Sequence, residues 1–295
     1  MKRTLSLFLA LMLLLSGCGK ADSPARIAAT TLPVYEFTSR LAEGTGITVT
    51  RLVTEEVSCL HDYSLNVRQV KAAEAAELIV ISGAGLEEFM EDLIHDRDTI
   101  DASAGIPLLI PEEGHGEAEE AHHAHDGHDH EFDPHIWLSP THAAIMAETI
   151  CNGLSVRYPQ HEDTFHTNHL ALLRDLEALY GYGLETLANL SCRDLITFHD
   201  GFAYFAHAFD LHILEAVEEE SGSEASAKEL IHLIEAVEHH NLPAVFTEKS
   251  GSVSAASIIA RETGCGSFTL DMAMAGDSYF DAMYHNIDTI REALG

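Results

Sequence analysis

From Arg26 onward the chain alternates short β-rich runs with helical periodicity, and it does so in two separate series. The first reads RIAATT then VYEFTSRLAEG, ITVTRLV then NVRQVKAAEAA, ELIVISG then LEEFMEDLIHD, and closes on the β-rich run IPLLI. The second begins near Asp194 with DLITF, GFAYFAHAF and LHILEAV, and continues through AKELIHLIEAVEHH, AVFTE, SAASIIARETG, SFTL and FDAMYHNIDTIREAL. Alternation of this kind argues for parallel strands with helical crossovers. The expected fold class is therefore α/β, with two lobes that each carry a mainly parallel sheet flanked by helices. Between Thr141 and Leu190 the strand signal stops. HAAIMAETICNGLSVRY and EDTFHTNHLALLRDLEALYGYGLETLANL carry apolar residues three and four apart, which predicts two helices. The second would run about 45 Å at 1.5 Å per residue if unbroken, the length of a strut between lobes, although Gly181 and Gly183 argue against continuity. The organisation read from this pattern is an N-terminal lobe over residues 26–140, connecting helices over 141–190 and a C-terminal lobe over 191–295.

The first residues, MKRTLSLFLALMLLLSGCGK, place Lys2 and Arg3 before an apolar stretch and small residues around Cys18, the layout of an export signal over residues 1–17. Leu15, Ser16, Gly17 and Cys18 resemble the lipobox of bacterial lipoproteins. That resemblance implies cleavage before Cys18, diacylglyceryl attachment to its sulfur, and a linker over residues 18–25. Several acyl chains on one residue would anchor the chain stably; ordinary secretion is the alternative. About 275 residues then remain, enough for two lobes and a connection.

Forty-eight acidic residues against sixteen Lys and Arg give a formal charge of -32. Nucleic acid is excluded as a partner, because its binding needs clustered Lys and Arg. An acidic surface favours cations and keeps the chain soluble. With Cys18 lipidated, Cys59, Cys151, Cys192 and Cys265 remain, an even number for which three disulfide pairings are open; Cys59 could also act as a thiolate ligand near His61.

Open α/β sheets place ligands at the carboxyl ends of their strands, so side chains just beyond those ends are the first candidates for a metal site. His61 follows ITVTRLV in VSCLHDYSL, His135 sits in FDPHIWLSP, His199 ends DLITFHDGF and Asp271 ends SFTLDMA. Two come from each half of the chain, an arrangement suited to a cation held between lobes. Trp137, Tyr63, Phe198 and Phe202 flank these positions, either as lobe core or as shielding. Residues 113–131 form a separate acidic loop that carries His115, His122, His123, His125, His128 and His130. With few apolar residues besides alanine, that loop cannot order itself by burial. Its histidines should therefore bind metal more weakly than a preformed cleft. His166, His169, His207, His212, His232, His239 and His240 are read as solvated positions without convergent partners.

The segments ATTLPVYEFTSRLA, VSCLHDYSL, FDPHIWLSP, TFHDGFAYFAHAF, EASAKELIHLIE, PAVFTEKSG and LDMAMAGDSYFDAMYHNI together resemble the zinc and manganese solute-binding lipoproteins of bacterial ABC importers. The resemblance implies two α/β lobes joined by one long helix, with a single metal in the cleft. Its ligands would be His61, His135, His199 and Asp271, with a water in place of Asp271 as the alternative. Family members that bind manganese tend to carry a carboxylate where this chain has His199, and histidine-rich loops characterise zinc-binding members. Three imidazoles suit zinc, whereas manganese prefers oxygen. The expected function is thus Zn²⁺ capture outside the cytoplasm by a lipid-anchored, monomeric binding component that delivers the ion to an ABC permease and catalyses nothing. Manganese or another divalent cargo, a surface zinc buffer and a zinc hydrolase are the alternatives. The last lacks an HExxH helix, and Glu248 is its nearest candidate base. Met272 and Met274 beside Asp271 are read as packing residues, although a thioether would favour copper(I).

Overall fold

The computed structural model describes residues 26–57, 60, 63–110, 132–217, 225–251 and 253–295. Two four-stranded parallel sheets organise it. In the first, β1 (Arg26–Ala29), β2 (Thr48–Arg51), β3 (Leu78–Ile81) and β4 (Thr99–Asp101) lie in the order β2-β1-β3-β4. The second repeats that order, β6-β5-β7-β8, with β5 (Asp194–Thr197), β6 (His212–Ala216), β7 (Ala244–Glu248) and β8 (Gly266–Leu270). All six pairings are parallel. Each sheet therefore gathers the carboxyl ends of its strands along a single edge.

Helices α1 (Leu32–Leu41), α2 (Val67–Ala75) and α3 (Glu91–Ile94) belong to the first lobe, and α4 (Pro140–Arg157) and α5 (Glu162–Thr186) connect the halves. The second lobe adds α6 (Ala203–Ala208), α7 (Ala227–His240), α8 (Ser254–Thr263) and α9 (Tyr279–Leu294). Local chemistry sets their ends. Asn66 with Gln69, and Ser226 with Glu229, form reciprocal capping boxes at the starts of α2 and α7. Gly264 closes α8 at φ +78°, where a side chain would be strained.

Two expectations change. IPLLI is not a strand: the fourth strand of the first sheet is the short run Thr99–Asp101, and Ile106–Ile110 is irregular. Leu108 and Leu109 of this run pack partly against the shared core, and the run meets the second lobe where the Leu109 amide donates to Tyr204 Oη at 2.9 Å and Tyr204 Oη donates to the Asp133 carbonyl at 3.1 Å. The strut is shorter than its sequence pattern allows, 25 residues from Glu162 to Thr186, or about 38 Å. Its glycines do not break it. A Cβ on Gly183 would lie 2.2 Å from Phe209 Cε1, so glycine is what lets the helix approach that ring.

One apolar core runs through both lobes and the connecting helices, with Trp137, Phe165, Phe205 and Tyr279 fully buried in it. Smaller clusters fill the outer faces of the two sheets. Polar contacts tie the lobes across this core. The turn after β8 is held by Leu32 N–H to the Met274 carbonyl (3.1 Å), Trp137 Nε1–H to the Met272 carbonyl (2.7 Å) and Arg51 to the Gly276 carbonyl (2.7 Å). Tyr279 Oη donates to the Trp137 carbonyl at 2.8 Å, and its amide donates to Glu36 at 2.6 Å. Asn168 on α5 donates to the Leu41 and Glu43 carbonyls, and Tyr182 to Asp288, so the strut grips both ends of the molecule. Cys151, Cys192 and Cys265 are free thiols, so none of the possible pairings among these three is made. Among the described residues no helix is long and apolar enough to cross a membrane.

Candidate metal centre

Strands β7 and β8 end at a cavity lined by Glu56 of the first lobe and Glu248, Lys249, Asp271 and Met272 of the second, and the end of β5 and one short 3-10 helix, Ile136–Leu138, lie beside it through His199–Glu248 and Trp137–Met272 contacts. His135 caps the 3-10 helix and is 3% exposed. Asp133 Oδ1 accepts from both its backbone amide and its ring Nδ1, each at 2.8 Å. An ionised carboxylate can only accept, so the ring proton lies on Nδ1 and the lone pair of Nε2 is left for a ligand.

His199 stands two residues beyond β5, with its carbonyl accepting from Thr197 Oγ1 at 3.1 Å. A Cβ on Gly201 would meet Met272 Cε at 2.6 Å and His199 Cδ2 at 2.7 Å, so this glycine makes room for both. The His135 and His199 rings are 5.3 Å apart between centres and nearly perpendicular, at 84°. A tetrahedral ion about 2.05 Å from each nitrogen lies about 3.2 Å from each ring centre and sets the two centres about 5.2 Å apart. The observed spacing fits that requirement.

Glu248 is the last residue of β7, a strand buried along its whole length. Only 4% of the residue is exposed, Oε2 has no hydrogen-bond partner, and burial pushes the carboxyl up to about 8. Oε2 lies 3.9 Å from His199 Nδ1. A buried carboxyl with an unpartnered oxygen beside an imidazole is a familiar mark of a functional cleft.

Asp271 follows β8 and is held from behind by buried Asn286, which accepts from its amide and donates to its carbonyl, both at 2.7 Å. Its Oδ1 accepts the Ala273 amide at 2.8 Å and its Oδ2 faces Lys249 Nζ at 3.5 Å. Met272 and Met274 are core residues, 5% and 2% exposed, in keeping with a packing role. Trp137, Phe198 and Phe202 are likewise buried. Tyr63 is partly buried and donates to Glu55 at 2.8 Å, while Gln69 ties both to the Leu52 carbonyl.

The structure thus brings His135 and His199 together and sets Asp271 on the wall of the same cleft. Among the described residues no three His, Cys, Asp or Glu side chains converge as a group that could hold a metal. His61 and Cys59, the loop histidines His115, His122, His123, His125, His128 and His130, and Cys18 lie outside the described residues. Asp133, Glu56 and Lys249 were not anticipated as parts of the site. Asp133 carries a local signal, a carboxylate two residues before a histidine; Glu56 and Lys249 carry none.

Two parallel α/β lobes joined by a long helix, with one imidazole past a strand end and a second at the start of a 3-10 helix facing it, define a two-lobed binding protein. Residues 27–293 match the family described as ZnuA, zinc-uptake complex component A, periplasmic, and the chain belongs to that family. It is 31% identical over 288 residues to the zinc-binding lipoprotein AdcA of Streptococcus pneumoniae serotype 4, covering 92% of this chain and 56% of AdcA. The chain therefore spans about half the length of the curated AdcA relatives it matches. A crystal structure of ZnuA superposes with a TM-score of 0.77 at 30% identity, covering 92% of this chain and 100% of that one. The Zn(II)-bound ZnuA-like domain of Streptococcus pneumoniae AdcA gives a TM-score of 0.76 at 25% identity over 92% and 99% of the two chains.

Proposed function

We propose that the chain captures Zn²⁺ outside the cytoplasmic membrane and hands it to an ABC permease, acting by binding rather than catalysis. His61, His135 and His199 supply imidazole nitrogens, and Asp271 stands at the fourth position. The observation that carries this reading is the His135–His199 pair, whose 5.3 Å spacing matches a tetrahedral ion, with Asp133 fixing the His135 ring. An imidazole at position 199 in place of a carboxylate favours zinc over manganese. Residues 115–130 gather zinc for the cleft at lower affinity, and acyl chains on Cys18 hold the monomer at the membrane surface. The hydrogen bonds that clasp the turn after β8 to the first lobe oppose wide opening. Release then falls to the permease, which must distort the ligand shell. Since protons compete with metal for imidazole, affinity falls as the solution is made more acidic.

The test is metal analysis and competitive zinc titration of the full chain, of His199→Ala and of a deletion of residues 115–130. One tight Zn²⁺ that survives the deletion and is lost in His199→Ala is expected. The reverse pattern would make the acidic loop the site and overturn the assignment.

A further inference from the structure

His135 and His199 come from opposite lobes, so their 5.3 Å spacing depends on whatever ties the two segments to each other. Tyr204 supplies such a tie. It stands five residues after His199, in the first turn of α6, and is 1% exposed. Its hydroxyl accepts the Leu109 amide at 2.9 Å and donates to the Asp133 carbonyl at 3.1 Å, while the Asp133 amide donates to the Leu109 carbonyl at 2.9 Å. These bonds close a ring that satisfies the buried hydroxyl both as donor and as acceptor. Asp133 passes the constraint on. Its carboxylate holds the His135 ring at Nδ1, at 2.8 Å, and Pro134 between them locks its own φ and restricts the residue before it. A displacement of the Asp133 carbonyl therefore carries the imidazole with it. The Tyr204 ring itself packs edge-on against His142, 5.2 Å between centres, and within the shared core, contacts that do not need the hydroxyl.

We propose that Tyr204 is a positioning residue for the metal site: through the Asp133 carbonyl, its hydroxyl registers His135 against the β5–α6 segment that carries His199, so that the two imidazoles are spaced before the ion arrives. The inference rests on the cleft reading given above. Donors spaced in advance bind more tightly, because less ordering is left to the binding step. The 3-10 helix stays tied at its other side, by Trp137 to the Met272 carbonyl and by Tyr279 to the Trp137 carbonyl. Loss of the hydroxyl therefore loosens His135 without releasing it.

The experiment compares the full native chain with Tyr204→Phe, Asp133→Asn and the double variant. Its readouts are competitive Zn²⁺ titration and the visible d–d absorption of one equivalent of Co²⁺, which reports the geometry of the donors around the ion. Tyr204→Phe keeps the packed ring and should weaken Zn²⁺ binding by about fivefold to tenfold, less than Asp133→Asn does, and should alter the Co²⁺ spectrum. The double variant should fall short of the product of the two single losses, the mark of residues acting along one path. Tyr182→Phe, which removes the hydroxyl bond to Asp288 between α5 and α9, should leave both readouts native. Thermal unfolding of chelator-treated protein separates positioning from plain stability. A lowered midpoint in Tyr204→Phe with native Zn²⁺ affinity and a native Co²⁺ spectrum would overturn the inference, as would single losses that multiply in full or an equal loss in Tyr182→Phe. Tight Zn²⁺ binding retained in His199→Ala would instead remove the cleft reading itself, and this inference with it.

Discussion

Glu87 offers a quantitative check on the first lobe, because it is buried at the carboxyl edge of the sheet and titrates within an accessible range. It is 4% exposed. Its Oε1 accepts from Thr30 Oγ1 at 2.6 Å and the Ser82 amide at 2.7 Å, and its Oε2 from the Gly83 amide at 3.0 Å. Burial outweighs those three donors and, with a smaller push from Asp101, raises the carboxyl from 4.5 to about 7. The folded chain then keeps a proton that the unfolded chain loses. Stability from this source is fully present below about pH 4.5 and is lost as the pH rises through about 7. At 1.36 kcal/mol per unit the full contribution is about 3 kcal/mol, of which about 2.5 kcal/mol disappears between pH 5 and pH 8. Glu87→Gln cannot ionise and removes that slope. Its amide group would face the Gly83 N–H, so at pH 5 the variant should be less stable by about 1–3 kcal/mol. Thermal unfolding of chelator-treated protein at pH 5 and pH 8 is the assay. Between the two, native protein should lose about 5 °C more than the variant, at roughly 2 °C per kcal/mol for a chain of this size. His142 and His169, whose pKa values burial lowers, titrate alike in both proteins and cancel from the difference. Parallel pH profiles for the two proteins would refute the reasoning.

Gly183→Ala places a Cβ within 2.2 Å of Phe209 and should cost about 1–2 kcal/mol in urea unfolding, overpacking outweighing the gain in helix propensity. Gly181→Ala, which meets open space two residues earlier on α5, should instead stabilise by up to about 1 kcal/mol. Asp133→Asn removes the charge that orients His135 and should weaken zinc binding by about 10-fold to 100-fold in a competitive titration, with the unfolding midpoint of metal-free protein changing little.

The fold was legible wherever local pattern and tertiary burial agree. β3 (LIVI) and β7 (AVFTE) are apolar because parallel strands are covered on both faces, and α8 and α9 show their buried stripes at helical spacing. Reading failed where burial comes from a distant contact. Thr99–Asp101 is a three-residue edge strand with little apolar content, so its signal is lost beside IPLLI. In IPLLI, Ile106 is buried and Leu108 and Leu109 pack partly against the core shared by both lobes, which no local window reports, while Ile110 stays exposed. The glycines of α5 misled for the same reason: Phe209, which rewards the missing Cβ, lies beyond the helix in sequence.

The site divides along the same line. His199 can be found from sequence because it stands just past β5 and parallel strands in one sheet end at one edge, whereas His135 follows no strand and reaches His199 from the start of the 3-10 helix Ile136–Leu138. Asp133 was within reach of such reading, since it stands in the same FDPHIW motif and bonds across two residues. Which donors remain available to an ion was not legible, because it depends on groups paired across lobes. Lys249 meets Glu56 only after the two halves dock, and Glu248 loses its solvent only once β7 is covered on both sides. The net charge is -32, and the described wall keeps part of it, because one ammonium, that of Lys249, is shared by the Glu56 and Asp271 carboxylates. An ion drawn toward an acidic surface thus still meets carboxylate at the cleft, where the imidazoles supply the nitrogen that zinc prefers.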